Sequence, residues 1–188
     1  MNPSNKTTSF SRLVPNGDTV QRDVCDTCGF IRYENPKVVA GSVVSHEGKL
    51  LLCRRAIPPR HGFWTLPAGY MELNETVEDA ARREAYEEAY ARIDINALLA
   101  VYSIPRISQI QVMYRADLID PAIGPGTESL EVALFDWDDI PWDEIAFPSV
   151  HWALTQHRRI RDKELFAPFS NPEGETGDYP PPKPAPAG

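Results

Sequence analysis

The sequence predicts an α/β layered domain. Three observations carry this expectation: short runs rich in β-branched and aromatic residues, two segments with helical spacing, and alternation of the two along the chain. With 188 residues, 42% of them hydrophobic, the chain is long enough for one domain with a core of its own. No internal repeat points to a solenoid or propeller.

In chain order, the opening residues are polar and carry turn signals at Pro15-Asn16-Gly17-Asp18. Cys25-Asp26-Thr27-Cys28-Gly29 then predicts a compact, knuckle-like turn. Strand character begins at Lys37: Val38–Val44 and Lys49–Cys53 flank His46-Glu47-Gly48, the pattern of a hairpin. After the loop Pro58-Pro59-Arg60-His61-Gly62, Trp64–Gly69 leads towards a helix over Thr76–Ala89. Thr76, with Asp79 three residues later, has the form of a capping box there. Leu98–Ile104, Gln109–Leu118 and Leu130–Phe135 read as further strands. Val150, Leu154 and Ile160 recur at helical spacing within Pro148–Arg161, a second helix. The stretch from Ser170 to Gly188 is dense in proline and is expected to be disordered. The resulting organisation is an N-terminal segment 1–34, a domain 35–166 and a tail 167–188.

Composition narrows the function. A net charge of −8 and a pI near 5.0 argue against a general nucleic-acid binder, which needs clustered surplus Lys and Arg. An anionic substrate would therefore need help from a metal. The chain has no apolar run long enough for a membrane span and Met1–Leu13 has no apolar signal core, so a cytoplasmic protein is expected. Three cysteines, Cys25, Cys28 and Cys53, are too few for a disulfide framework and fit a reducing compartment. Cys53 sits in a strand run and reads as a buried apolar residue. No serine elbow, Walker loop or His-Glu-x-x-His helix occurs.

The first helix is where chemistry concentrates. At about 100° per residue, Val77, Ala80, Ala81, Glu87 and Glu88 all lie within about 60° of Glu84 around the axis. The stripe starts small and apolar, as a core-facing helix does, and then turns acidic at Glu84, Glu87 and Glu88. Like charges at these spacings cost about 0.2 to 0.5 kcal/mol per pair, and more when buried, so a cation should compensate. Mg²⁺ or Mn²⁺ suits an all-carboxylate set, and Arg83 can pair with a neighbouring carboxylate. Glu78 and Asp79 point elsewhere and read as an ordinary solvated face. The same reading could extend to the whole acidic stripe.

The run Gly69, five residues, Glu75, seven residues, Arg83-Glu84-Ala85-Tyr86-Glu87-Glu88 resembles the Nudix box without gaps. Trp64-Thr65-Leu66-Pro67-Ala68-Gly69 is similar to the loop that precedes it in that family. One position departs: Tyr90 stands where the family usually has Gly, at a left-handed helix cap that costs a non-Gly residue about 1 kcal/mol. The resemblance implies a Nudix-type α/β/α sandwich with a mixed sheet, and Glu84, Glu87 and Glu88 as metal ligands. It adds the Gly69 carbonyl as a further ligand and Glu75 and Arg83 as organisers of loop and helix, with Glu72 a weaker candidate ligand. Glu75 is the second choice for the catalytic base. Some relatives place the base on a later loop, which here is Gly124-Pro125-Gly126-Thr127-Glu128-Ser129-Leu130-Glu131, and Glu131 is preferred to Glu128. A solvent-facing strand carboxylate is the alternative reading of Glu131.

Asn35-Pro36-Lys37-Val38-Val39, Leu52-Cys53-Arg54-Arg55-Ala56 and Ile140-Pro141-Trp142-Asp143-Glu144 extend the likeness to a Nudix subgroup with an N-terminal zinc ribbon. Plant enzymes that split FAD and ADP-ribose belong to that subgroup. It implies cleavage of a small nucleotide to AMP and a phosphorylated partner, with homodimers common among relatives. NADH is a less favoured substrate, since no Ser-Gln-Pro-Trp-Pro-Phe-Pro stretch follows the box. A nucleotide-sensing module without catalysis is the alternative from another class. Arg54, Arg55, Arg60 and Arg106 are candidate phosphate holders, although such an arginine is more often simply a solvated surface charge. Cys25 and Cys28 make one zinc pair where a ribbon needs two, so zinc there is doubtful.

Overall fold

The computed structural model describes residues 9–178 and divides into two units, 1–36 and 37–188. The first unit holds a three-stranded antiparallel sheet of β1 (Phe10–Leu13), β2 (Arg22–Cys25) and β3 (Ile31–Arg32), in that order. These strands are not evident from composition, because two to four residues are too short to show a period. The knuckle is present: Gly29 N–H donates to the Cys25 carbonyl at 2.9 Å, and Gly29 takes φ 72°. Arg32 lies over the Phe10 ring at 4.2 Å and Arg22 over Tyr33 at 5.2 Å, cation–π contacts that supplement a very small apolar interior.

In the second unit, β4 (Lys37–His46) and β5 (Lys49–Arg55) form the expected hairpin. Glu47 and Gly48 take φ 50° and 84°, the paired positive angles of a two-residue turn matched to strand twist. The two strands pair only beside the turn, at Ser45↔Leu50 and His46↔Lys49. Beyond that they diverge, and the chain from Trp64 to Tyr70 fills the gap. There β6 (Trp64–Thr65) pairs with β5, and β7 (Ala68–Tyr70) pairs with β4. Gly41 is required at this splice, since a Cβ there would fall on Ala68.

The sheet is completed by β8 (Ile93–Ile104), β9 (Gln109–Leu118) and β10 (Ser129–Phe135), in the order β10-β5-β4-β9-β8. It is mixed: β4 runs parallel to β9, and the other pairs are antiparallel. Helices α1 (Val77–Ala89) and α2 (Pro148–Ile160) cover opposite faces. Alternate residues of β4 show this, Val43 packing in the cluster of Trp152 and Leu154 from α2, and Val44 in that of Ala85 and Ala89 from α1. The α/β/α sandwich inferred from the resemblance is therefore the fold. Among the described residues no helix is long and apolar enough to cross a membrane.

The tail corrects the sequence reading. Residues 179–188 lie outside those described, but 167–178 are not a loose extension. Phe169 pairs in parallel with Ala100, donating to Leu99 O at 2.9 Å and accepting from Val101 N–H at 3.0 Å. The Asn171 side chain accepts from Ser103 N–H at 2.9 Å and donates to its carbonyl at 2.8 Å, as a strand residue would. Proline density conceals this because the attachment uses main-chain groups and one amide rather than an apolar period.

Candidate active site

The site grows from the start of α1. Thr76 Oγ1 accepts from Asp79 N–H at 3.1 Å and donates to the Asp79 carboxylate at 2.7 Å, so the capping pair fixes where the helix begins. From there, helical spacing carries Ala80, Ala81, Glu84, Ala85, Glu88 and Ala89 to the buried side. Glu87 departs from the expected inward stripe, its side chain being 57% exposed. The helix ends at Tyr90, which adopts φ 50° and ψ 20°, the left-handed cap that the family motif gives to Gly. Its N–H reaches Tyr86 O at 2.8 Å, and its ring packs edge-on against Tyr86 at 5.8 Å.

Arg83 is the hub of the charged cluster. Its Nε and Nη2 grip both oxygens of Glu75 at 3.1 and 2.8 Å, Nη2 also reaches Tyr70 O at 2.9 Å, and Nη1 bridges Glu84 at 2.7 Å and Glu87 at 2.9 Å. These five bonds use the five N–H groups a guanidinium has. Arg83, together with the Glu72 N–H at 2.6 Å, pulls the Glu75 carboxyl down to about 2. A carboxylate so firmly committed is a brace for the loop and a poor base.

Glu84 and Glu88, one turn apart, are the buried carboxylates. Burial raises both, and Glu88 reaches about 8, with the charges of Glu84 and Glu128 adding to the effect. Glu88 accepts from Ala68 N–H at 3.0 Å. Gly69 lies so close to Glu84 that a Cβ there would overlap its carboxylate. At the other end of α1, Gly124 and Gly126 donate to the carbonyls of Ala89 and Glu88 at 3.0 and 3.1 Å. A Cβ on Gly126 would collide with the Glu87 carbonyl, so this loop can seat only with glycine there. That seating brings Glu128 beside the pair. Arg83, Glu84, Glu87, Glu88 and Glu128 line a cleft of about 1250 Å³.

The NUDIX domain sequence model matches residues 35–155, more than half of the chain. The chain belongs to the Nudix hydrolase family. A second model, for the Nudix N-terminal zinc-ribbon segment, matches residues 7–34. The chain is 33% identical over 113 residues to an ADP-ribose pyrophosphatase of Methanocaldococcus jannaschii, a match covering 58% of this chain and 67% of that one. It is 35% identical over 99 residues to a MutT-like protein of Streptomyces ambofaciens, spanning 53% of this chain and only 60% of the relative. The crystal structure of a NUDIX hydrolase from Nitrosomonas europaea superposes with a TM-score of 0.83 at 46% identity, over 89% of this chain and 96% of that one.

Within this Nudix site, several residues stand elsewhere than sequence reasoning put them. Glu131 is on β10 opposite Arg54, pairs with it at 3.6 Å with its side chain 54% exposed, and does not line the cleft, whereas Glu128 does. Of the two carboxylates on this loop and strand, Glu128 is the one at the cleft. Arg54 is turned to Gly62 O at 2.9 Å and Arg60 lies over Phe63 at 4.7 Å, and neither lines the cleft. Arg55 and Arg106 do line it, as does Lys37, which the sequence placed in a family-like run but not among the phosphate holders. Glu72 lines it as well, and Glu75 does not.

With Arg83 Nη1 between Glu84 and Glu87, no three Asp, Glu, His or Cys side chains among the described residues converge on one point. The donors nonetheless fit a hard divalent cation. They are all oxygens, and the two buried carboxylates have between them one guanidinium N–H and one backbone N–H for partners. Zinc is a different matter. Backbone N–H groups of Cys28 and Thr27 lower the Cys25 thiol, but no third ligand joins Cys25 and Cys28 among the described residues, so the pair does not fit a four-ligand zinc site.

Proposed function

We propose that this Nudix pyrophosphohydrolase cleaves the diphosphate bridge of ADP-ribose or a similar adenosine diphosphate derivative such as FAD, releasing AMP and a phosphorylated partner. The observation that carries the reading is the placement of Glu84, Glu88 and Glu128 together in a cleft of about 1250 Å³, roomy enough for a two-part nucleotide. The ADP-ribose pyrophosphatase relative supports the choice of substrate.

In this reading Glu84, Glu87 and Glu88 hold Mg²⁺ or Mn²⁺, which when bound neutralises phosphate oxygens and lowers the pKa of a water molecule. Glu128 takes the proton from the attacking water. The water oxygen bonds to one phosphorus as the bond from that phosphorus to the bridging oxygen breaks, and the leaving phosphate carries away the electron pair. Arg83 and Glu75 hold α1 and the preceding loop in register. Arg55, Arg106 and Lys37 supply positive charge at the cleft for the phosphates.

The test is incubation of the protein with Mg²⁺ and a panel of ADP-ribose, FAD, NADH, diadenosine polyphosphates and nucleoside triphosphates, with products identified by mass spectrometry beside a Glu88→Gln control. AMP released from ADP-ribose or FAD and lost in the control is the expected result. Binding without any product would instead make the chain a nucleotide sensor.

A further inference from the structure

The cleft has a second, uncharged polar feature which the hydrolytic step does not use. Gln109, Gln111 and Met113 alternate onto the cleft-facing side of β9 and all three line it. Gln111 has Val39 beside it on β4, and Gln109 has Ile104 beside it on β8. Both of those neighbours also line the cleft, while Lys37 flanks Gln109 on its other side and the buried Tyr102 flanks Gln111, so the Gln111 amide is the one set among apolar and aromatic side chains. A polar group in such surroundings is costly unless paired.

The pairing runs one way. Gln111 Nε2 donates to Gln109 Oε1 at 3.0 Å, and Gln109 Nε2 donates to Tyr70 Oη at 3.2 Å. Tyr70 is itself steadied by Lys37, whose ammonium lies 5.2 Å from the ring centre. The Gln109 amide thus has both ends engaged. Gln111 keeps its Oε1 and its second N–H, an acceptor and a donor side by side on a braced group.

We propose that Gln111, oriented by Gln109 and Tyr70, reads the base of the nucleotide and selects adenine over guanine. This rests on the reading of the cleft as a nucleotide diphosphate site and names the base it prefers. An amide acceptor–donor pair complements the amino group and neighbouring ring nitrogen of adenine. Guanine also offers such a pair, but brings a further amino group at C2. The side chains of Val39, Ile104 and Met113, which share the cleft with Gln111, offer that group no oxygen or nitrogen acceptor, and an unpaired donor is what a polar site rejects most strongly. Adenine carries only a C–H there.

The probes are AMP and GMP, which differ only in the base and need no hydrolysis. Calorimetric titration in Mg²⁺ should show AMP binding roughly 10-fold or more tighter than GMP. Gln111→Met, which keeps the length of the side chain and loses its polar atoms, should erase most of that ratio by weakening AMP. Gln109→Met, which frees Gln111 from its brace, should give a smaller loss in the same direction. Equal binding of AMP and GMP by the unaltered protein, or a ratio untouched by Gln111→Met, overturns the assignment. An AMP preference that depends on Gln111 in a protein that leaves ADP-ribose intact upholds base selection and rejects the hydrolase reading instead.

Discussion

The two helices have equal length, 13 residues each, and opposite character. α2 buries Val150, Trp152, Leu154 and Ile160, and carries Arg158 and Arg159 in its last turn, where positive charge suits the negative end of a helix. α1 buries four alanines with Glu84 and Glu88, and its last turn holds no basic residue at all. Alanine brings the helix axis close to the sheet while contributing little apolar area. The pair therefore divides the work: α2 supplies packing, and α1 gives up packing to hold carboxylates beside β7 and the Gly126 loop.

The largest effect should come from breaking α1 at its chemistry. Glu88→Gln should lower kcat on the order of 10³-fold, the several kcal/mol expected for a lost metal ligand. Above about pH 8, where the Glu88 carboxyl would have to carry its charge, the metal-free variant should at the same time melt higher, because a neutral amide still accepts from Ala68 N–H and avoids the cost of a buried charge. A lower melting temperature would mean that the carboxylate serves the fold. On α2, Leu154→Ala should cost about 3 kcal/mol in urea unfolding, since the side chain is fully buried. The same change placed at a true packing residue should leave activity per folded molecule intact.

A smaller effect follows from His157, also on α2. Burial, helped by the nearby Arg115, pushes its imidazole down to about 4 from its ordinary value near 6.5, against an opposing contribution from Asp117. The folded state therefore favours the neutral ring. Its contribution to stability is present above about pH 6.5 and is lost as pH falls towards 4, by about 2 kcal/mol between pH 7 and pH 5. Urea titrations at the two pH values should show this slope, and His157→Phe should flatten it. The smallest change is at the end of α1, where Tyr90→Gly should raise stability by up to about 1 kcal/mol by relieving the left-handed backbone, less the loss of the Tyr86 contact.

Much of this division was legible in the sequence, for physical reasons that differ by element. The period of α1, its Thr76 cap and the hairpin turn at Glu47-Gly48 depend on neighbours in the chain, and local spacing reveals them. The sequence does not show that Glu131 lies off the cleft, because the face a strand residue takes depends on register. Glu128 reaches the cleft only through the seating of Gly126 on α1, a contact between segments far apart in the chain. Arg54 and Arg55 are adjacent, and the pleat alone sends one away from the cleft and the other into it. Gln109 and Gln111 carry no motif, and Lys37 stood in a family-like run with no role of its own; their grouping becomes visible only when β4 and β9 lie side by side.

The attachment of Phe169 and Asn171 has a consequence for how copies of this protein can meet. Along the outer side of β8, the groups at Leu99, Val101 and Ser103 are already taken. Pro168 and Pro172 bracket the attached stretch and lack the N–H needed to lengthen it. An open sheet edge invites a foreign strand, and this one is closed from Leu99 to Ser103 by residues 169–171. An assembly built by joining sheets across that half of β8 must first peel the segment away.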